Sequence, residues 1–202
     1  SSAPTADTWF ANLRANRVES DPSVVWRQFG PGMSGNNYRI YWHPTDPNVV
    51  FLGPNMGNAY RSTDRGTTYE AILDYDGDGH AFDERGPSEI NSPDFSRQNP
   101  DFGMCSREAE SKLYLTTERG RTWTHDAASD SVWGGVRLNT IAVAPSNDQV
   151  WFVGSGDLND RNRFFFTDAQ PHGYGSASGH TARIWRTANQ GASWTDVTPA
   201  GI

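Results

Sequence analysis

An acidic stretch, DYDGDGH (residues 74–80), has the residue types and spacing of a calcium-binding loop. Asp74, Asp76 and Asp78 occupy positions 1, 3 and 5 of that pattern, and a glycine occupies position 6. Alternating carboxylates before a tightly turning glycine can surround a hard cation. Position 12 is Arg85 instead of the bidentate glutamate of an EF-hand. We therefore expect either calcium in a non-helical loop, a solvated acidic turn, or direct contact of these carboxylates with a substrate.

A second stretch, residues 155–180, combines carboxylates, arginines, histidines and a tyrosine. Glycosidases use two carboxylates that flank the scissile bond, about 5 to 10 Å apart according to mechanism. Asp157 and Asp160 are candidates for that role.

Polysaccharide lyases instead use a histidine or tyrosine base beside a uronate carboxylate, which an arginine or a cation neutralises. The residues suited to that chemistry are His172, Tyr174, Arg161, Arg163 and, from the acidic stretch, His80. Each could equally stabilise its own loop, and the sequence leaves that alternative open.

Aromatic side chains near these stretches are candidates for sugar binding, because sugar faces stack on aromatic rings. The candidates are Trp133 and the phenylalanines of RFFF (163–166). An exposed run of three phenylalanines would be unusual in a soluble protein, so we expect at least two of them to be buried. Trp133 is expected to bind substrate, with packing beneath the long segment as the alternative.

A framework must position these candidates, and the sequence contains it as an internal repeat. The matching copies are RSTDRGTTYE (61–70), TTERGRTWT (116–124) and RTANQGASWT (186–195). In each copy a hydroxyl, an acid or amide, a glycine, a second hydroxyl and an aromatic recur at one spacing, which we call the corner motif. The acid or amide can accept N–H groups of a turn, and the glycine suits a positive φ. Asp64, Glu118 and Asn189 are therefore expected to be structural, not catalytic.

Strand signals precede each corner motif. IYWHPTDPNVVFLG (40–53) aligns without a gap to IAVAPSNDQVWFVG (141–154), and each indicates strand, turn and strand. The middle copy, DFSRQNPDFGMC (94–105), keeps the turn but has weak strands. With 12% aromatic residues, 20 glycines and 12 prolines, the pattern predicts an all-β chain of three four-stranded antiparallel units.

The repeat resembles the Asp-box (BNR) repeat of sialidase-type β-propellers. HPTDPNVVFLGPNMGNAYRSTDRGTTYE (43–70) is especially similar to the first blade of the xyloglucanase and oligoxyloglucan hydrolase family. The resemblance implies a β-propeller of four-stranded antiparallel blades over 37–202, after an N-terminal extension over 1–36. The predicted blades span 37–73, 90–126 and 137–198. Because propellers typically have about 4 to 8 blades, we expect a partial propeller whose other blades come from the same precursor or a second chain.

The positions of the loops predict which face of the propeller carries function. The corner motifs join the third and fourth strands of their blades, so all three lie on one face. The long segments 74–89 and 155–180 lie on the opposite face, with the loops that follow each second strand. Irregular loops on a rigid scaffold are where binding and catalysis concentrate. Function is therefore expected on the face opposite the corner motifs.

One position on that face departs from the resembled family. The resemblance implies an aspartate just after the second strand of the first blade, ahead of a Gly-Gly-Ala-Tyr-Arg run. Residues 57–61, Gly-Asn-Ala-Tyr-Arg, align with the run, and this alignment puts Asn55 at the acid position. Because an amide cannot act as a general base, Asn55 is expected to bind substrate. The resemblance places the family's second acid in later blades.

Charge and composition limit the kinds of partner and the cellular location that we expect for this chain. The formal net charge of −7 argues against nucleic acid, which requires a basic surface. No stretch approaches the roughly 18 apolar residues of a membrane-spanning helix. The start, SSAPTADTWF (1–10), is compatible with the mature end left by signal cleavage, so we expect a secreted protein, extracellular or periplasmic.

Three function classes remain. The first is a secreted polysaccharide-active enzyme, a glycoside hydrolase or a lyase, of which this chain is the N-terminal part. The second is a non-catalytic propeller, similar to sortilin-type receptors, that binds a protein or a glycan. The third is a structural or assembly propeller. We expect the enzyme, with a polysaccharide substrate and calcium as the candidate cofactor.

Overall fold

Three antiparallel sheets of four strands each form the framework in the computed structural model of the chain. The structure describes residues 40–54, 58–72, 86–107, 110–155 and 183–200. The predicted all-β chain of four-stranded antiparallel blades is confirmed. The N-terminal extension predicted over 1–36 lies outside the described residues.

Within each sheet the strands neighbour one another in chain order, so each blade is a meander. Blade 1 consists of β1 (Ile40–Trp42), β2 (Val50–Leu52), β3 (Tyr60–Ser62) and β4 (Glu70–Ala71). Blade 2 consists of β5 (Ile90–Phe95), β6 (Gly103–Arg107), β7 (Leu113–Thr116) and β8 (Thr124–His125). Blade 3 consists of β9 (Leu138–Ala144), β10 (Asn147–Ser155), β11 (Ile184–Thr187) and β12 (Thr195–Asp196). A 3-10 turn (Ala127–Ser129) and the one-turn helix α1 (Asp130–Trp133) connect blade 2 to blade 3.

Blade 2 has fuller inner strands than its sequence indicates, and the expectation of weak strands there is wrong. β5 contains Pro93 and Asp94, residue types that are depleted in strands. A bulge early in β5 accommodates them, since Pro93 has no N–H for the ladder with β6. Ser92 in this bulge has a φ of 48°, and its hydroxyl accepts the N–H of Ile141 at 3.0 Å. The Asp94 carboxylate accepts the N–H of Val143 at 2.8 Å, so these β5 side chains bind β9 of blade 3.

Apolar clusters join each blade to the next. Phe51 of blade 1 stacks on Phe95 of blade 2 with ring centroids 5.4 Å apart, and Trp123 lies edge-on to Phe51 at 6.2 Å. Phe102 of blade 2 meets Trp151 of blade 3 edge-on at 5.7 Å. Burial of side chains of this size is the main favourable contribution to packing one blade on another.

The three corner motifs form the same backbone turn. The glycine and the residue before it both have positive φ, at Arg65 and Gly66, Arg119 and Gly120, and Gln190 and Gly191. The first hydroxyl of each motif accepts the N–H of that glycine, at 2.8 Å for Ser62 and 3.0 Å for Thr116 and Thr187. Two successive left-handed residues need a glycine at one position and a local hydrogen bond to hold the turn.

The acid or amide of each corner motif closes its own turn. Asp64 accepts the backbone N–H of Thr68 at 2.8 Å and its hydroxyl at 2.7 Å. These hydrogen bonds, the backbone one first, lower the pKa of Asp64 to about 2. Glu118 and Asn189 bind the matching hydroxyl groups at 2.7 and 2.9 Å. The expectation that all three are structural is confirmed.

Candidate functional site

The described contacts separate two faces of the blades. The turns between the first and second strands contact the corner motifs: Arg119 binds Asp46 at 2.7 Å, and Arg65 donates to Asn48 at 2.9 Å. We call this side the corner face. The opposite side, where β2, β6 and β10 end and where β5 and β9 begin, is the loop face. Both long sequence segments therefore leave the framework on the loop face, as predicted.

A buried polar network ties the inner strands of all three blades together close to the loop face. The Tyr41 hydroxyl donates to the side-chain oxygen of Asn91 at 3.0 Å. The Asn91 amide nitrogen donates to the Ser106 hydroxyl at 3.4 Å and to the carbonyl oxygen of Asn139 at 3.3 Å. Because buried polar groups that are paired fix a single geometry, this network gives the candidate site a rigid base.

Glu89 is a loop-face carboxylate that the sequence did not single out. It lies directly before β5, is half-buried, and has a φ of 52°. A glutamate in the left-handed region is uncommon, and among the described non-glycine residues with positive φ Glu89 is the one with a carboxylate. The sequence signal was weak, since Glu89 is only the last acid of a long acidic segment.

Glu89 lies beside the point where the chain leaves β2. The backbone at Gly53 approaches β5 so closely that a Cβ there would lie 2.0 Å from the Ile90 carbonyl oxygen. Only glycine permits this approach. Asn55 follows Gly53 by two residues and lies outside the described residues. The framework thus places the Glu89 backbone next to the start of the loop that carries Asn55.

Another carboxylate, Glu110, is held at the loop face of blade 2. It forms an ion pair with Arg107 and accepts the Tyr114 hydroxyl at 3.3 Å. Its carbonyl oxygen accepts the N–H of Leu138 at 3.0 Å, which ties this loop to blade 3. Burial first, and then the charge of Glu110, raises the pKa of Tyr114 well above its usual range. Tyr114 therefore stays protonated near neutral pH and donates a hydrogen bond, which excludes it as a base.

The long segment of blade 3 leaves and re-enters the sheet at a fixed neck. The N–H of Ser155 donates to the Arg183 carbonyl at 2.9 Å, and the N–H of Arg183 donates to the Ser155 hydroxyl at 3.0 Å. The Arg183 guanidinium also binds Asp196 at 2.7 Å. These contacts hold residues 155 and 183 together at the loop face, where the long segment begins and ends.

Trp133 does not bind substrate, and the sequence-based expectation for it is wrong. Its side chain is 1% exposed, and its ring lies edge-on to those of Trp185 and Trp194, each at 5.2 Å. Its indole N–H donates to the Ser129 hydroxyl at 3.2 Å. A fully enclosed ring has no face to offer to a sugar, and the described neighbours of Trp133 are core residues of blade 3 and its connection to blade 2.

The other predicted site residues lie outside the described residues: Asn55, Asp74, Asp76, Asp78, His80, Asp157, Asp160, Arg161, Arg163, His172 and Tyr174. The phenylalanines of RFFF lie outside them as well. Within the described ranges, no group of three His, Cys, Asp or Glu side chains could hold a metal ion. No helix in those ranges is long and apolar enough to cross a membrane.

A polar cavity of about 280 Å³ opens on the outer edge of the corner side. Its lining residues are Arg61, Thr63, Thr68, Tyr69, Glu70 and Arg121. Arg61 and Glu70 form an ion pair in it, and Thr68 is engaged by Asp64. Arg61, Glu70 and Thr68 already stabilise the corner motif of blade 1 and its contact with blade 2. The loop face is therefore the candidate site.

Comparison with known proteins gives one curated relative of stated activity. No family model matches the chain. The chain is 24% identical over 203 residues to a protein named xyloglucanase from Hypocrea jecorina (strain QM6a). The match includes 96% of this chain but 24% of that protein, so the chain spans about a quarter of its relative's length.

Solved structures show the fold. A crystal structure of an ancestral GH74 enzyme matches with a TM-score of 0.58 at 19% identity, over 87% of this chain and 20% of that one. The GH74 enzyme of Niastella koreensis matches with a TM-score of 0.51 at 18% identity, over 81% of this chain and 21% of that one. The three blades are therefore a xyloglucanase-like β-propeller in fold.

Proposed function

We propose that this chain is the N-terminal part of a secreted glycoside hydrolase that cleaves a xyloglucan-type polysaccharide. The observation that carries the proposal is the similarity to a xyloglucanase along 96% of the chain, loops included. The framework agrees with it, because both long segments leave the blades on the loop face. Its rigid base of Tyr41, Asn91 and Asn139 suits a site that must hold a polymer in a fixed position.

Hydrolysis of a glycosidic bond needs two carboxyl groups. We assign Glu89 as one of them, since it is the strained loop-face carboxylate beside the chain that leads to Asn55. As a base it would take a proton from water, whose oxygen then bonds to the anomeric carbon. The glycosidic C–O bond breaks, and a protonated partner acid gives its proton to the departing sugar oxygen. Asp157 and Asp160 are the candidates for that partner within this chain.

The remaining loop residues have binding roles in this proposal. The Asn55 amide donates and accepts hydrogen bonds with sugar hydroxyls. Arg161, Arg163 and His80 add further donors. Calcium bound by Asp74, Asp76 and Asp78 would fix the acidic segment, since a hard cation prefers several oxygen ligands. The corner motifs are turns of the Asp-box type, and their role is to hold the blades.

Product analysis tests the proposal on the full-length polypeptide that contains these residues. Incubation with xyloglucan should release reducing ends and xyloglucan oligosaccharides. A lyase, for which His172 and Tyr174 are the bases, would instead produce unsaturated uronates that absorb in the ultraviolet from pectic or algal polysaccharides. Absence of both products would refute an enzyme of either kind.

A non-catalytic glycan- or protein-binding propeller is the second candidate, and Asn55 is the observation that favours it. A carboxylate lost from the position implied by the resemblance removes a catalytic group while it keeps a hydrogen-bonding one. Binding of xyloglucan oligosaccharides without any cleavage would support this candidate. Cleavage that depends on Glu89 would exclude it.

A further inference from the structure

The outward side of blade 3 leaves large apolar side chains uncovered within the described part of the chain. Phe152 and Ile184 are each 37% exposed, and Val197 is 39% exposed. Trp151, Val153 and Trp185 alternate with them along the strands and are buried against blade 2. Both faces of this blade are therefore apolar, and the described residues cover only the one that packs on blade 2.

Strand pairing shows which residues of blade 1 correspond to this exposed side. Phe51 of β2 pairs with Arg61 of β3, and Phe152 of β10 pairs with Arg186 of β11. Each pair stands at the same register from its corner motif, one residue before the first hydroxyl of the motif. The outward face of blade 3 thus repeats the phenylalanine and arginine of blade 1.

In blade 1 this pair receives the corner motif of the next blade. A Cβ on Gly120 would lie 2.4 Å from Cζ of Phe51, so the glycine backbone rests directly on the ring. The Nε–H of Arg61 donates to the carbonyl oxygen of Arg119 at 2.9 Å. Phe51 is fully buried and Arg61 is 7% exposed as a result.

The second interface repeats the arrangement with other side chains. Met104 and Leu115 take the places of the phenylalanine and the arginine in blade 2. Gly191, the corner glycine of blade 3, lies over Met104, where a Cβ would be 3.2 Å from the methionine methyl group. Both interfaces between described blades therefore place a corner glycine on the same position of the preceding second strand.

The equivalent pair in blade 3 has no such occupant in the described part of the chain. Arg186 is exposed, and its guanidinium has neither a hydrogen bond nor an ion pair with a described residue. An arginine paired in register with an exposed phenylalanine, and without a side-chain partner among the described residues, matches the free form of the site that Phe51 and Arg61 make when filled.

We propose that Phe152 and Arg186 form the docking site for the corner motif of a fourth blade. The glycine of that motif lies on the Phe152 ring, and the carbonyl oxygen of the residue before it accepts an N–H of Arg186. The occupant belongs to the same longer polypeptide, which rests on the proposed function and on the fourfold greater length of the xyloglucanase relative. The chemistry required of it is a glycine-containing turn with an outward carbonyl group.

Thiol labelling of the full-length polypeptide tests this docking directly. Cys105 is the lone cysteine, is fully buried, and serves as an unreactive internal reference. The thiol introduced by Phe152→Cys should react with iodoacetamide at least about tenfold more slowly than the one introduced by Ser146→Cys in the exposed β9–β10 turn. Equal rates would overturn the proposal. Protection that appears only at high protein concentration would identify a second copy as the occupant, and would overturn it too.

Two substitutions at one position supply an independent readout. Phe152→Met places the blade 2 residue at this site and should leave the melting temperature within about 2 °C of the original. Phe152→Asp introduces a charge under the docked turn and should lower the melting temperature by at least about 5 °C. If both variants have the same melting temperature as the original protein, Phe152 is solvent-exposed and the fourth blade does not dock there. Neither experiment depends on enzymatic activity, so loss of the hydrolase proposal would leave them intact.

Discussion

The backbone of Gly120 in blade 2 lies on the ring of Phe51 in blade 1, with no room between them for a methyl group. We expect Gly120→Ala to lower the free energy of unfolding by about 2 to 4 kcal/mol. About 1 kcal/mol comes from a φ of +74° that alanine disfavours, and the rest from the Phe51 contact. Chemical denaturation at one pH measures the loss.

Gly134→Ala is the matched control for this prediction. Gly134 also has a positive φ, of +58°, but a Cβ there would meet nothing within 4 Å. The control should therefore lose only the conformational part, about 1 kcal/mol. Equal losses for the two variants would show that the contact between Phe51 and Gly120 adds nothing to stability.

His43, at the interface between blades 1 and 2, should make the stability of the protein depend on pH. Its Nδ1 accepts the backbone N–H groups of Thr45 and Asp46 at 3.3 and 3.1 Å, so Nε2 carries the proton and donates to the Pro100 carbonyl at 2.8 Å. Burial, together with nearby Arg119, holds the pKa of His43 below its ordinary value of 6.5. The unfolded chain therefore binds more protons as the pH falls through about 6.5, and stability drops.

The measurement is the free energy of unfolding between pH 8 and pH 5 for the original protein and for His43→Ala. Alanine is the residue that blade 3 has at the equivalent position, Ala144. We expect the variant to be less stable at pH 8 and to lose less stability on acidification. Parallel curves would mean that His43 does not titrate differently in the folded and unfolded states.

The corner acids should matter for stability and not for catalysis. Asp64→Asn keeps an acceptor for the Thr68 N–H, as Asn189 does for Ser193 at 2.9 Å in blade 3, whereas Asp64→Ala removes it. Melting temperature should follow the order original, Asp64→Asn, Asp64→Ala, all measured at pH 7. Because the pKa of Asp64 is about 2, its contribution is present above pH 4 and is lost only as the pH falls toward 2. A fall in activity that is larger than the fall in folded protein would contradict this role.

Trp133 should act through packing alone. Trp133→Ala removes a side chain that is 1% exposed and should cost about 3 to 5 kcal/mol. Trp133→Phe keeps most of the ring volume and loses the hydrogen bond to Ser129, so it should cost less. At a temperature where the Phe variant is folded, KM for xyloglucan should be unchanged. A raised KM would restore the sugar-binding role that its burial excludes.

The repeat made the fold predictable, because the same turn requires the same residue types at the same spacing in each blade. Asp64, Glu118 and Asn189 share one spacing, and in the structure each of them closes the same kind of turn. The bulge in β5 was not predictable in the same way. Pro93 and Asp94 weaken the local strand signal, and the bulge is stabilised by the N–H groups of Ile141 and Val143 in β9, which donate to Ser92 and Asp94.

The site was less predictable than the framework. The composition of a loop shows which chemistry is available but not which side chain is covered, and Trp133 is the example. Glu89 was missed because its left-handed backbone and its place beside Gly53 are properties of packing between blades 1 and 2. The pairing of Phe152 with Arg186 likewise becomes visible only when strand register is known.

The role of Glu89 is tested by the turnover number of the full-length polypeptide on xyloglucan. The variants to compare are Glu89→Gln on the loop face and Asp64→Asn on the corner face. We predict that xyloglucan is cleaved, that Glu89→Gln lowers kcat by at least about 100-fold, and that Asp64→Asn stays within about twofold of the original. The glutamine variant should keep its melting temperature, since amide and carboxylate have nearly the same shape. Absence of cleavage by the original protein would refute the proposed hydrolase, and an unchanged kcat in Glu89→Gln would refute Glu89 as its base.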